Sequence, residues 1–371
     1  MNQVIGVINL GDTSSFLGPL TQNRSIASVP FGGRYRLIDF VLSNLVHSGV
    51  RNVAVFTLNH ARSLMDHLGS GKEWDLNRKD GGLFILPPAV EYPFGVYRGD
   101  LQNFYGHIDF FKRSKGEYVI VTKGHMLFPI DFKPLVQSHK ESCADITVLY
   151  QEMRLTAAEA SNCMGFSLEN GRVVHMDRCK QSNEWQNVFL ETYIVKKSLF
   201  IQLIEAAAAK EAFDVNRELL QERLSSLRVQ AYRYDGHVTM IHSIESYFRH
   251  SMELLRPEWW QSLFFQYGSI YTKIKDEPPA RYGPLATARN SLIANGCIIE
   301  GTVENSILFR GVKVEKGAHV KNSILLQKCS VALDATVELA ILDKEVRVTQ
   351  GSKIHGEPGM PRVIGKRQIV S

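Results

Sequence analysis

The last eighty residues constrain the fold most, because they repeat. VENSIL at 303–308, VKNSIL at 320–325 and VELAIL at 337–342 recur every 17 residues. Within each period an aliphatic residue returns at steps of five or six: Val303, Leu308, Val314, Val320, Leu325, Val331, Val337, Leu342, Val348 and Ile354. Three short strands per turn, each sending one apolar side chain inward, describe a parallel β-helix. One such coil leaves backbone edges and an apolar end open, so stacking of coils is what stabilises it. The spacing predicts this domain over residues 290–371.

The remaining chain follows different rules. With 371 residues in all, more than one core is expected. Val4–Leu10, Val53–Leu58, Tyr118–Thr122 and Asp145–Tyr150 are strand-like runs rich in Val and Ile. Leu37–Val46 carries apolar residues at 37, 38, 41, 42 and 45, the helical period, with Gly49 as a stop beyond it. Further helices are predicted at 197–212, 214–226 and 243–255. Strands alternating with helices argue for a mostly parallel sheet covered on both faces, a fold that places ligands at the carboxyl ends of its strands. This domain is read as 1–255. The Pro- and aromatic-rich stretch between, 256–289, reads as a connector, with Trp259 and Trp260 as packing residues more readily than a binding platform.

Composition excludes several classes. The hydrophobic fraction of 44% and charged fraction of 22% are those of a globular chain. No run of ~18 uncharged apolar residues predicts a membrane span. The N-terminus reads as a first strand and not as a signal peptide. Five scattered cysteines (143, 163, 179, 297, 329) form no CxxC pair, so neither a zinc site nor a disulfide framework is expected, and a reducing cytoplasm is. A net charge of +5 is too small to argue for nucleic acid.

VPFGGRYRLIDFVLSN (29–44) followed by HSGVRNVAVFT (47–57), with AYRYDG (231–236), SIESYFRHSMELL (243–255) and the C-terminal repeat, resembles the bacterial ADP-glucose pyrophosphorylase family over nearly the whole chain. The resemblance implies an α/β nucleotidyltransferase-like domain (a Rossmann-like mixed sheet, helices on both faces) followed by a left-handed parallel β-helix. It implies chemistry that joins ATP to glucose 1-phosphate, giving ADP-glucose and pyrophosphate. Bringing two phosphates together needs backbone N–H groups in a Gly-rich turn, basic side chains and carboxylate-held Mg²⁺.

Set against that pattern, the family's GGxGTRLxPLT reads GDTSSFLGPLT here, with Asp12, Ser14 and Phe16 where two glycines and an arginine belong. Asp12 repels a triphosphate and Phe16 removes a clamp. Ile26 stands at the position of the family's catalytic lysine. Of the substrate-binding GTADA stretch only Gly99 is unaltered in GDLQN, and the sugar-binding EKP reads DRC (177–179). The two metal aspartates fall at Gly124, beside a retained His125, and at Met240. Asp131 and Asp235 lie near in sequence but off position. Scaffold is kept while chemistry is lost, the pattern of a non-catalytic sister subunit.

The resemblance is closest to the regulatory second subunit that some bacteria pair with the catalytic one in a heterotetramer. It implies no metal or cofactor in this chain, Mg²⁺ in the catalytic partner, and an anionic effector such as a sugar phosphate or phosphate. Arg24, Arg34 and Arg36 are the candidates to bind that effector; pairing with carboxylates such as Asp39 is the alternative. Asn23 departs from a basic residue of some relatives. The tail cations Arg362, Lys366 and Arg367 read as a solvated end. Two rivals stay open: a nucleotidyltransferase with weak or rearranged activity of its own, and an acyltransferase on the β-helix with His319 or His355 as base.

Overall fold

A computed structural model describes residues 1, 3–11, 17–58, 60–88, 99–210 and 214–371. The chain forms two compact units: Met1–Ser14 with Phe40–Val238, and Ser15–Asp39 with Thr239–Ser371. The boundary expected after residue 255 and the observed one after Val238 do not coincide.

The first unit is built on nine strands: β1 (Val4–Asn9), β2 (Asn52–Phe56), β3 (Gly82–Leu86), β4 (Tyr118–Thr122), β5 (Ile146–Leu155), β6 (Met164–Glu169), β7 (Arg172–Arg178), β8 (Ser182–Lys196) and β9 (Val229–Arg233). Their order is β3-β2-β1-β4-β8-β5-β9-β7-β6. From β3 to β4 the pairing is parallel, and β1 and β4 are buried throughout, as a strand covered on both faces requires. Beyond β4 the sheet is mixed, not mostly parallel: β8 runs antiparallel to β4, β5 and β6. One cause is local. Asn170 and Gly171 both take positive φ (49° and 78°), the turn that joins β6 to β7 as a hairpin, and a hairpin can only be antiparallel.

The helix Lys197–Ala208 buries Phe200, Leu203, Ile204 and Ala207, its apolar face, against this sheet. Phe200 meets Phe104 and Phe111 edge-on, with centroids 5.7 and 5.2 Å away. The helix expected at 214–226 is a π turn, Asn216–Leu220, followed by a 3₁₀ turn, Gln221–Arg223. The wider turn lines up residues five apart, and Val215 and Leu220 are both buried.

The second unit contains the β-helix. Its three parallel sheets have six, five and five strands, a left-handed coil as expected. The ten aliphatic residues of the repeat are all at most 4% exposed. A serine ladder holds successive coils in register. Ser306 and Ser323 each accept the next coil's N–H at 3.1 Å and donate to the carbonyl two residues back. Before each serine, Asn290, Asn305 and Asn322 take φ of 41–46°; on the fourth coil Leu339 does so at 49°. The stretch read as a connector holds a helix, Pro257–Phe265, with Pro at its start, where a missing N–H costs nothing. Trp260 stacks on Phe264 at 4.1 Å. The tail is the last coil, with strands Arg362–Ile364 and Ile369–Val370; of its cations Arg362 and Arg367 are exposed, Arg367 bonding Glu345 at 2.6 Å on the surface.

Candidate functional site

In the second unit, Pro30–Phe31 and Tyr35–Arg36 pair as a tight hairpin. Gly32 and Gly33 turn it at φ 59° and 80°, and a Cβ on Gly32 would lie 2.9 Å from the Phe264 ring, so glycine is needed there on both counts. The hairpin sets Arg34 exposed and Arg36 half-buried. Arg24 lies before it and is 4% exposed. Its Nη2 donates to both oxygens of Asp343, at 2.9 and 2.8 Å. Asp343 is thus Arg24's carboxylate partner, while Asp39 accepts the backbone N–H of Arg36 at 3.0 Å.

Asp343 stands where the two preceding coils carry Phe309 and Leu326, both buried. The following positions, Arg310, Gln327 and Lys344, form a column at one corner of the β-helix. Its corners stack through Lys328 N–H to Arg310 O and Glu345 N–H to Gln327 O, both 3.0 Å. Burial, then Arg36 and Arg24, push the Lys344 ammonium down to about 7, with Asp343 opposing. Burial and Arg34 lower Arg310; burial, Arg310 and Arg36 lower Lys275. Arg34, Lys275 and Arg310 line a cavity of about 330 Å³ walled by Trp260, Gly32 and Gly33. Seven cationic side chains (Arg24, Arg34, Arg36, Lys273, Lys275, Arg310, Lys344) therefore meet three carboxylates (Asp39, Glu277, Asp343). Such mutual repulsion is relieved by a bound anion.

At the carboxyl ends of β1 and β4, the first unit places a different set. Asn9 Nδ2 donates to Asp100 Oδ2 at 2.7 Å, and Val215 N–H to Asp100 Oδ1 at 2.9 Å. Burial raises the Asp100 carboxyl, against the lowering charge of Lys123, itself 4% exposed. His125 is 6% exposed, with Nε2 3.9 Å from Glu191.

The nucleotidyl transferase family model matches residues 6–234, and that of the GlmU-like C-terminal hexapeptide residues 278–360. The glycogen biosynthesis protein GlgD of Bacillus subtilis (strain 168) is 38% identical over 366 residues, 98% of this chain and 96% of its own length. GlgD of Geobacillus stearothermophilus is 41% identical over 320 residues, 86% of this chain and 83% of its own. The glucose-1-phosphate adenylyltransferase of Thermosipho africanus (strain TCF52B) is 34% identical over 324 residues, 86% and 78% of the two chains. This chain belongs to the glucose-1-phosphate adenylyltransferase family.

Of the family positions changed in this chain, Asp12, Ser14 and Phe16 lie outside the described residues. Ile26 begins a 3₁₀ turn, Gly124 follows β4 as a buried bend, and Met240 is buried. The off-position carboxylates are engaged elsewhere. Asp131 caps the helix Phe132–Ser142 by accepting from Lys133 N–H, and Asp235 takes Arg233 Nε at 2.7 Å. Among the described residues no three His, Cys, Asp or Glu side chains gather as a metal site. His319 is exposed, and His355, also exposed, lies 3.5 Å from Glu338.

Lys275, Arg310, Asp343 and Lys344 escaped the reading of the sequence. One signal was present: an acid at a repeat position that is otherwise apolar. Among the described residues no helix is long and apolar enough to cross a membrane.

Proposed function

We propose that this chain is a regulatory, largely non-catalytic subunit of ADP-glucose pyrophosphorylase in glycogen biosynthesis. It works in the cytoplasm, within a hetero-oligomer, a tetramer, with a catalytic partner that carries the Mg²⁺. One contrast supports this reading. The positions of the family's phosphate lysine and metal carboxylates hold Ile26, Gly124 and Met240, while the second unit keeps a net-cationic cluster for an anionic effector. Losing the metal's stabilisation of transition-state charge costs several decades in rate. The effector, a sugar phosphate or phosphate, acts by binding one state of the assembly more tightly than another. Arg34, Arg36, Lys275, Arg310 and Lys344 receive it; Arg24, bonded to Asp343, holds the cluster's floor.

Formation of ADP-glucose from ATP and glucose 1-phosphate tests this, with the chain alone and then with the catalytic subunit. The reading expects no turnover alone and an altered rate or effector response in the mixture. Clear Mg²⁺-dependent turnover by the chain alone would establish the rival, an active transferase with a rearranged site. Absence of a mixed oligomer on gel filtration would refute the subunit role.

A further inference from the structure

Lys344 is placed where a proton is hard to keep. It sits at a corner of the β-helix, half-buried, and its neighbour Asp343 is already committed: both carboxylate oxygens accept from Arg24, and Oδ1 also accepts the Lys344 backbone N–H at 2.7 Å. Among the described residues the ammonium itself has no ion-pair or hydrogen-bond partner. The charges that face it come from every element around it: Arg24 from the segment before the hairpin, Arg36 from the hairpin, Lys275 from the stretch before the first coil, and Asp343 on its own corner. Three cations surround it, and the one carboxylate is in use. In the same corner column, Gln327 keeps a buried Oε1 without a hydrogen-bond partner, so no side-chain acceptor there compensates the charge.

Resting on the reading of this cluster as an anion site, we propose that a tetrahedral dianion, a phosphate monoester or its sulfate analogue, binds there together with one proton taken up by Lys344. The ligand supplies the counter-charge that the fold leaves out, and the ammonium forms as the ligand arrives. The protonated lysine then donates to the ligand, as a charge-assisted bond. The site thus senses pH through its affinity: tight below neutrality, loose above it.

With the free lysine titrating near 7, the linkage factor is small at pH 6 and about 11 at pH 8, so affinity falls about tenfold between them. The test is isothermal titration of the full chain with inorganic sulfate, whose own charge is constant over this range. It is run at pH 6 and 8 at fixed ionic strength, in two buffers of different ionisation enthalpy. The expected result is a tenfold loss of affinity and nearly one proton absorbed per sulfate at pH 8. Lys344→Arg keeps its charge, so it should bind with equal affinity at both pH values and absorb no proton. Lys344→Gln should bind weakly at both. Equal affinity and no proton uptake in the unaltered chain would overturn the proposal, as would a tenfold fall that survives in Lys344→Arg. A different failure marks the underlying reading. If sulfate does not bind at pH 6, or binds Arg36→Gln as well as the unaltered chain, the cluster is not the anion site, and the linkage falls with it.

Discussion

Replacing Asp343 by Ala isolates the energetics of the cluster. Arg24 and Asp343 are 4% and 1% exposed. Removing one partner of a buried pair costs about 3–5 kcal/mol, because the other charge stays desolvated. For a unit of about 160 residues, 3–5 kcal/mol is a fall in Tm of about 6–20 °C. Differential scanning calorimetry of the full chain would read it as a shift of one transition. Two companions sharpen the result. Arg24→Met with Asp343→Leu removes both charges and should recover most of the loss, since a buried pair is often replaceable by apolar residues. Sulfate should raise the Tm of Asp343→Ala more than that of the unaltered chain. An Asp343→Ala protein within 1 kcal/mol of the original, or a double variant no better than the single, would refute the reasoning.

Other outcomes are equally specific. Leu339→Asn places a residue tolerant of left-handed backbone at φ 49°, where the three preceding coils have Asn; a gain of about 1 kcal/mol is expected in urea unfolding. Ser323→Ala removes the acceptor of Ala340 N–H and should cost about 1–3 kcal/mol by the same assay. His139 is buried beside Thr147 Oγ1 (2.8 Å), and burial, then Lys196, lower it to about 4. The unfolded chain binds that proton first as pH falls. Its stabilisation is therefore complete above pH 6.5 and lost progressively towards pH 4, about 3 kcal/mol in all. His139→Gln should flatten that part of the urea-midpoint profile; an unchanged slope would count against it.

What could be read from the sequence divides along physical lines. The β-helix was legible because one inward aliphatic per strand is a strict requirement, from Val303 to Ile354, and leaves a strict period. The strands of the first sheet were legible, but not their direction. A buried run such as VIGVIN looks the same beside a parallel or an antiparallel neighbour. Asn170–Gly171 was the available sign of a hairpin. At the site, Arg24, Arg34 and Arg36 could be chosen from the resemblance, yet Arg24's acid lies 319 residues on. No local pattern links the two. Only comparison of coils, Phe309 and Leu326 against Asp343, marks the exception.

The discontinuous second unit also has a consequence for synthesis. Residues 15–39 leave the ribosome early, but their unit is completed only by residues 239–371. At 5–20 residues per second, Arg24 waits about 16–64 s for Asp343 to be made. Throughout that interval the hairpin's apolar side, Phe31 among it, has no lasting cover from its own unit. Nascent chains of this protein should therefore depend on chaperone shielding near the N-terminus until the final coils emerge.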